Sequence, residues 1–244
     1  MNIGLLYPTR DCGEDDFADL CRRLDPAPGL DFAYVDWDPD AASQTAAVRA
    51  LGTPGRLTAA ADRLEATPDV VSWACSSCSF THGLDGARDQ ARALADHLGV
   101  PASSTSLAHL AALDRLNVNR VALASVYHPS LTAAFAAFLA EAGVTTVHAV
   151  SADAGSDRAL AAWDGRRITE LTVAADHEDA EAVLVPETAL HTTPLLAELE
   201  ERTRKPVLTA TAVTVWEATG AEQGGLGTLF RAGPVRHPPS SSAS

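Results

Sequence analysis

The chain has 244 residues, of which 46% are hydrophobic and 20% charged, and its formal net charge is −14 at pH 7. This length suits one large α/β domain or two smaller ones, and it allows a core that needs no disulfide or metal staples. A nucleic-acid-binding surface is not expected, because phosphate neutralisation needs clustered Lys and Arg, and Lys205 is the only lysine. No segment approaches the ~18 uninterrupted apolar residues of a membrane-spanning helix.

The cysteine content and the sequences at the two chain ends bear on the cellular compartment in which the protein is expected. The four cysteines, Cys12, Cys21, Cys75 and Cys78, are too few for a disulfide framework in a chain of this length. The opening residues lack the basic start and long apolar run of a secretory signal. These features predict a reduced, cytoplasmic protein. The final stretch, residues 233–244, is rich in Pro and Ser and is predicted to be a disordered tail.

Short apolar runs alternate along the chain with longer amphipathic stretches. The runs typical of β-strands are Ile3–Tyr7, Asp31–Trp37, Asp69–Ala74, Pro101–Thr105, Arg120–Ser125, Thr145–Val150, Ala180–Pro186 and Lys205–Ala210. The stretches typical of helices are Asp15–Leu24, Thr53–Ala66, Gly83–Leu98, Ser106–Leu116, Ser130–Ala142, Arg167–Asp179, Thr193–Arg204 and Ala212–Ala218. This alternation predicts parallel sheets covered by helices on both faces, and the continuous apolar character of the strands agrees with that burial.

The order of these features repeats once. The strand at Arg120 restarts the pattern of the strand at Ile3. A Pro, a short strand, a Ser/Thr cluster and a helix follow one another at both 99–110 and 204–215. The repeat predicts an α/β protein made of two pseudo-symmetric, doubly wound βα domains with parallel sheets and an active site in the cleft between them.

The repeat also sets the predicted domain boundaries and the candidate site. The N-terminal half is expected at residues 1–117 and carries Cys75; the C-terminal half is expected at 118–232 and carries Glu187 at the equivalent strand end. Ligands of open parallel sheets bind at the carboxyl ends of the strands. The other residues expected to contact a ligand at those ends are Pro8, Thr9, Arg10, Asp11, Ser76, Ser77, Thr105, Tyr127 and Thr188.

The stretch "ACSSCSF" allows three interpretations. A zinc site is disfavoured because no second C-x-x-C or closely spaced His pair accompanies Cys75 and Cys78. A thioredoxin-like redox pair would follow a strand, as these residues do, but the Gly-Pro interior typical of that motif is missing. The third interpretation is a single reactive thiol, Cys75, whose thiolate is stabilised by the amides of the following turn, with Cys78 as a packing residue.

Three segments carry a resemblance to a known family. The segment "DVVSWACSSCSFTHG" resembles the signature of the aspartate/glutamate racemase superfamily, most of all its maleate isomerase and arylmalonate decarboxylase branch. "VALASVYHPSLTAAFAAFL" resembles a segment that puts Tyr127 on a tyrosine associated with binding of the substrate carboxylate. "IGLLYPTRDCGEDDF" resembles the opening of the family, with Asp11 or its neighbours where a substrate-contacting Asn stands. The resemblance covers roughly residues 2–220.

The resemblance implies two βα domains that each supply one catalytic residue from an equivalent strand end. Cys75 matches the first-half cysteine, and Cys78 stands where relatives have Gly. The second-half cysteine is replaced by Glu187, so a two-thiol racemase is not implied. The reaction implied first is a cofactor-independent, maleate-isomerase-like isomerisation of a small carboxylate or dicarboxylate. Cys75 adds to or reprotonates the substrate carbon, and Glu187 transfers the second proton.

Alternatives use the same residues. One is an arylmalonate-type decarboxylase or a racemase on the same scaffold, and another is a carboxylate-binding protein without turnover. No metal or nucleotide cofactor is indicated, since the chain lacks a G-x-G-x-x-G, P-loop or H-E-x-x-H motif. His82 is a further candidate to assist Cys75. The oligomeric state is open, with a homodimer as one expectation.

Overall fold

The computed structural model describes residues 1–37 and 44–232, so the predicted tail at 233–244 lies outside the described residues. The first sheet has the strand order β2-β1-β3-β4, and the second has the order β6-β5-β7-β8. Every strand pair is parallel. The strands of the first sheet are β1 (Asn2–Tyr7), β2 (Gly29–Tyr34), β3 (Val70–Trp73) and β4 (Ala102–Ser104). Those of the second are β5 (Arg120–Ser125), β6 (Thr145–Ser151), β7 (Ala182–Val185) and β8 (Val207–Thr209).

Helices connect the strands and flank both sheets. In the first half they are α1 (Glu14–Arg22), α2 (Gln44–Leu51), α3 (Pro54–Ala61), α4 (Ser77–Phe80), α5 (Gly83–Leu98) and α6 (Thr105–Leu116). In the second half they are α7 (Pro129–Glu141), α8 (Asp157–Ala161), α9 (Gly165–Ala175), α10 (Leu196–Thr203), α11 (Ala210–Thr219) and α12 (Thr228–Arg231). A 3-10 turn at Thr193–Leu195 leads into α10. No helix of the described residues is both long enough and apolar enough to cross a bilayer.

The identical strand order confirms the predicted fold of two pseudo-symmetric, doubly wound halves. Each predicted strand is present, with ends that differ by a few residues. The predicted helix at Thr53–Ala66 ends at Ala61, and the one at Arg167–Asp179 ends at Ala175. The predicted boundary between residues 117 and 118 falls in the connection between α6 and β5.

The interface between the halves is built in part from the helices that follow the two edge strands. Ser104 accepts the amide of Leu107 at 3.3 Å and so caps α6. In the same way, Thr209 caps α11 through the amide of Ala212. Helices α6 and α11 pack together, and Thr105 Oγ1 lies 2.8 Å from Thr214 Oγ1. This buried hydroxyl pair joins the two halves.

A second contact fixes the loop after β7 against the first half. The buried carboxylate of Asp16 accepts the amides of Thr192 at 3.1 Å and Thr193 at 2.9 Å. Tyr7 Oη donates to the carbonyl of Thr188 at 3.0 Å. Gly13 is required beside them, because a Cβ there would lie 2.1 Å from the same carbonyl oxygen. The loop that carries Glu187 is therefore fixed to the first half at two places, Thr188 near its start and Thr192–Thr193 near its end.

Candidate active site

A cavity of about 330 Å³ lies at the carboxyl ends of β1, β3, β5 and β7, and both halves contribute to it. Its size is at the lower end of that of small-molecule sites, which suits a compact substrate. The residues that line it are Pro8, Thr9, Trp37, Val48, Cys75, Ser76, Ser77, Cys78, Val126, Tyr127, Leu131, Gly155, Ser156, Asp157, Arg158, Leu160, Glu187 and Thr188.

Cys75 reaches the cavity through a tight turn after β3. Its amide donates to the carbonyl of Trp73, the last residue of the strand, at 2.8 Å. Helix α4 begins two residues later, and the amide of Cys78 points at Cys75 Sγ at 3.4 Å. Cys75 is 5% exposed, and its sulfur lies against the amide end of a helical turn, which favours an anion bound beside it.

Glu187 occupies the equivalent position in the second half. Its amide donates to the carbonyl of Val185, the last residue of β7, at 3.0 Å. Burial raises the pKa of its carboxyl to about 8, and the negative charge of Asp157 contributes to the rise. A hydrogen bond from the amide of Ala189 at 2.8 Å acts in the opposite direction and lowers the pKa. Glu187 is therefore mostly protonated at neutral pH and can donate a proton within the cavity.

Tyr127 lies between the two halves of the site. Its hydroxyl donates to the carbonyl of Pro186, directly before Glu187, and its ring packs edge-on against Phe80 with 5.7 Å between centroids. Burial raises its pKa well above the ordinary value, with the charge of Glu187 as the next cause, so it remains a neutral phenol. The hydroxyl thus holds the backbone that presents Glu187.

The start of α4 forms the polar end of the cavity. The first amides of a helix have no carbonyl partner inside that helix. In α4 the amide of Cys78 is bonded to Cys75 Sγ and that of Ser79 to the Ser76 carbonyl, which leaves the amides of Ser76 and Ser77 as the donors without a partner among the described residues. Ser76 Oγ is buried and has no hydrogen-bond partner, while Ser106 Oγ fixes the turn by donating to the Ser76 carbonyl at 2.9 Å. Unpaired donors at a helix start suit a carboxylate or an enediolate oxygen.

A hydrogen bond links the halves at another part of the cavity wall. Thr9 Oγ1, after β1, donates to Asp157 Oδ2, at the start of α8, at 2.5 Å. Arg158 is the next residue, and it is the only Arg or Lys among the described residues that line the cavity. The remaining wall is largely apolar, with side chains from Trp37, Val48, Val126, Leu131 and Leu160.

Eight of the eleven residues expected at the site line this cavity: Cys75, Glu187, Pro8, Thr9, Ser76, Ser77, Tyr127 and Thr188. Three do not. The guanidinium of Arg10 stacks on the ring of Tyr34 at 3.7 Å, which directs it away from the cavity. Asp11 is exposed, and its amide bonds Glu14 Oε1 at 2.9 Å. The hydroxyl of Thr105 is paired with that of Thr214 between α6 and α11.

Two other sequence candidates can also be placed. His82 lies away from the cavity, with Nε2 at 2.9 Å from the carbonyl of Arg49. Cys78 lines the cavity beside Cys75, at 1% exposure. The segment from Gly155 to Leu160 and the apolar wall were not predicted. The Ser156 side chain caps α8 through the amide of Ala159, so a helix-start signal was present there, but no sequence signal placed it at the site.

Known proteins are similar to this chain in sequence and in fold. A sequence model of the arylmalonate decarboxylase family matches residues 53–228, a range that contains Cys75, Tyr127 and Glu187. The chain belongs to the arylmalonate decarboxylase family. An arylmalonate decarboxylase of Bordetella bronchiseptica is 30% identical over 158 residues, which are 64% of this chain and 66% of that protein.

Solved structures extend the family likeness over the whole fold. A glycine-to-cysteine mutant of arylmalonate decarboxylase in a sulfate-associated form is 27% identical with a TM-score of 0.80, over 95% of this chain and 100% of that one. A maleate cis-trans isomerase from Nocardia farcinica, a mutant with a covalently bound succinylcysteine intermediate, shares the fold. It is 20% identical with a TM-score of 0.81, over 94% of this chain and 98% of that one. These likenesses confirm the resemblance to the branch that holds both kinds of enzyme.

Proposed function

We propose that this member of the family is a cofactor-independent decarboxylase of small malonate-type acids, with Glu187 as the proton donor. The observation that carries the proposal is the composition of one cavity: anion-binding donors at the start of α4, an apolar wall, and a buried acid that is protonated at neutral pH. The match to the decarboxylase family model supports the same choice.

Substrate binding places the two carboxylates of the malonate in different surroundings. One is held by the amides at the start of α4 and by the hydroxyls of Ser76 and Ser77. The other lies against the apolar wall near Leu131 and Leu160, where an ionised carboxylate is poorly solvated. Loss of CO₂ relieves that cost, because the charge moves to the carboxylate that keeps its hydrogen-bond donors.

The chemical step breaks the bond between the α-carbon and the poorly solvated carboxylate. The electron pair stays on the α-carbon and delocalises into the retained carboxylate as an enediolate, and CO₂ leaves. Glu187 then gives its proton to the α-carbon and becomes a carboxylate, which regains a proton from solvent before the next turnover. Tyr127 keeps Glu187 in place through its hydrogen bond to the Pro186 carbonyl.

A second candidate, isomerisation of an unsaturated dicarboxylate, is favoured by one specific observation. Cys75 presents a free thiol to the same cavity, beside the amide of Cys78. A thiolate adds to an electron-poor double bond, whereas a simple decarboxylation needs no nucleophile. In this reaction Glu187 protonates the neighbouring carbon, the single bond rotates, and the two steps reverse.

One experiment separates these activities. The protein is incubated in D₂O with an aryl or alkyl malonate and, separately, with maleate, and proton NMR follows both. The proposal predicts a monoacid that carries one deuterium at the α-carbon and a single product enantiomer, since one donor acts from one half. Maleate converted to fumarate with no reaction of malonates supports isomerisation instead. Thermal stabilisation by these acids without turnover contradicts both and supports a carboxylate-binding protein.

A further inference from the structure

The proposed decarboxylation leaves two thiols of the cavity wall without a role, those of Cys75 and Cys78. Cys78 lies one helical turn from Cys75, and both thiols face the same cavity. We propose that Cys75 and Cys78 form a dithiol site for hydroperoxides, which oxidise the pair to a reversible disulfide. The proposal is independent of which carboxylate reaction the protein catalyses.

The local geometry brings the two sulfurs together. The amide nitrogen of Cys78 lies 3.4 Å from Cys75 Sγ. Ser77 Oγ is 3.8 Å from one sulfur and 3.9 Å from the other, so both border the same small space. Residues three apart in a regular helix have Cβ atoms about 5–6 Å apart, and Cys75 lies two residues before α4 in a turn where the Cys78 amide already reaches its sulfur.

A disulfide needs a Cβ separation of about 3.5–4.5 Å, so the turn must tighten by roughly 1–2 Å. Helix α4 has only four residues and ends at Phe80, which makes it the kind of short turn that adjusts without disturbing a long hydrogen-bond ladder. The approach of the sulfurs displaces the weak Ser77 contacts, while the hydrogen bond from Gln90 Nε2 to the Cys78 carbonyl at 2.9 Å holds the backbone of the turn. The bond can therefore form within the existing fold.

The pair differs in position from the other two cysteines, of which Cys12 borders a separate pocket. Hydrogen peroxide is far smaller than the cavity of about 330 Å³ on which Cys75 and Cys78 open. Cys12 and Cys21 are buried outside this cavity lining. Burial raises the pKa of Cys12 to about 11, that of Cys21 to about 12 and that of Cys78 well above its ordinary value, so what sets Cys78 apart is its position beside Cys75 and not its acidity. Cys12 and Cys21 serve as internal controls for selective oxidation.

The chemistry has two balanced steps. The thiolate of Cys75 attacks one peroxide oxygen, the O–O bond breaks, and after proton transfer the products are a sulfenic acid and water or an alcohol. The thiol of Cys78 then attacks the sulfenic sulfur, forms the S–S bond and releases water. Each sulfur has lost one electron, and the peroxide has taken both. A dithiol reductant reverses the modification by exchange.

The test uses the full chain and hydrogen peroxide itself. After brief treatment at neutral pH, free thiols are alkylated under denaturing conditions and the chain is digested for peptide mass spectrometry. The result expected is a loss of two hydrogens, located between Cys75 and Cys78, with alkylated Cys12 and Cys21. Dithiothreitol should restore two alkylatable thiols in the same peptide.

Two cysteine-to-serine variants test whether the cross-link depends on Cys78. Cys21→Ser, remote from the cavity, should form the same cross-link, whereas Cys78→Ser should instead carry Cys75 to the sulfinic acid, which dithiothreitol does not reduce. The proposal is overturned if the unmodified chain accumulates sulfinic acid at Cys75 while Cys78 stays alkylatable. It is equally overturned if neither thiol reacts while free cysteine in the same tube is consumed.

Discussion

After β3 and after β7, the chain makes the same turn. In the first half the amide of Cys75 donates to the last carbonyl of the strand at 2.8 Å, and in the second half Glu187 does so at 3.0 Å. Beyond the turn the two halves differ. Helix α4 begins two residues after Cys75, whereas the chain after Glu187 runs as a loop until the 3-10 turn at Thr193–Leu195.

That difference decides the chemistry available at each strand end. Cys75 meets the amide end of a helical turn, which favours negative charge on a ligand beside it. Glu187 accepts the amide of Ala189 but is buried near the carboxylate of Asp157, which favours its neutral form. Two equivalent backbone positions therefore present an anion-favouring end and a proton-donating end to one substrate.

The largest effect is expected when the proton-donating end is removed. Glu187→Gln keeps the shape of the side chain but has no acidic proton, so turnover of the malonate substrate should fall by about 10²- to 10⁴-fold. The matched control is Glu178→Gln, at an exposed position in the same half, which should leave turnover unchanged. Activity of Glu187→Gln within twofold of the unmodified chain would show that the second strand end takes no part in proton transfer.

The pH dependence of turnover tests the role of Glu187 as proton donor without a mutation. Because burial raises the pKa of Glu187 to about 8, the proton-donating form is lost above that pH. We expect kcat/KM to fall about tenfold per pH unit above about 8. Steady-state kinetics with a malonate from pH 6 to 10 measure this limb. A profile that is flat up to pH 10 would remove Glu187 as the acid.

A smaller effect is expected when the support of Glu187 is removed. Tyr127→Phe deletes the hydrogen bond to the Pro186 carbonyl, worth about 1 kcal/mol, so kcat should fall by roughly five- to tenfold with KM nearly unchanged. Tyr34→Phe, whose hydroxyl bonds Glu14 away from the cavity, is the control. A rise in KM with constant kcat would instead show that the Tyr127 hydroxyl binds the substrate carboxylate, as the family resemblance implies.

A further effect is expected on the free energy of unfolding. The pKa of Glu187 is about 8 in the folded chain and 4.5 as an ordinary glutamate, so the folded state binds the proton more tightly between these values. Its contribution to the free energy of unfolding is therefore complete below about pH 4.5 and is lost as the pH rises through about 8.

Thermal unfolding measures this pH dependence. Tm should fall from pH 5 to 8, and less steeply in Glu187→Gln. Burial also raises the pKa of Asp16 and, to about 7, that of Glu217, so part of the slope should persist in the variant. Equal slopes in both proteins would contradict the raised pKa of Glu187.

The strands and the repeat could be predicted from the sequence because both are visible in short stretches of residues. Continuous apolar runs identify buried strands, and the matched order of features places Cys75 and Glu187 at equivalent ends. Short helices carry too few turns for a periodic signal, and so α2, α4, α8 and α12 were not predicted.

The shape of the site depends on tertiary contacts that spacing does not encode. Arg10 comes after β1 just as Thr9 does, yet stacking on Tyr34 takes its guanidinium elsewhere. Asp157 enters the site because the connection after β6 brings it to Thr9, on the other half of the molecule. No sequence pattern around Thr9 or around Asp157 specifies this hydrogen bond.

The most direct test of the account is a titration of the Glu187 carboxyl itself. Carboxyl ¹³C NMR of uniformly labelled protein, with Glu187→Gln used to assign the signal, follows its protonation from pH 4 to 10. The account predicts a midpoint near pH 8, where the carboxyl is held protonated by burial beside Asp157. A midpoint near 4.5, the ordinary value for glutamate, would leave a carboxylate at this strand end at neutral pH and contradict its role as the proton donor.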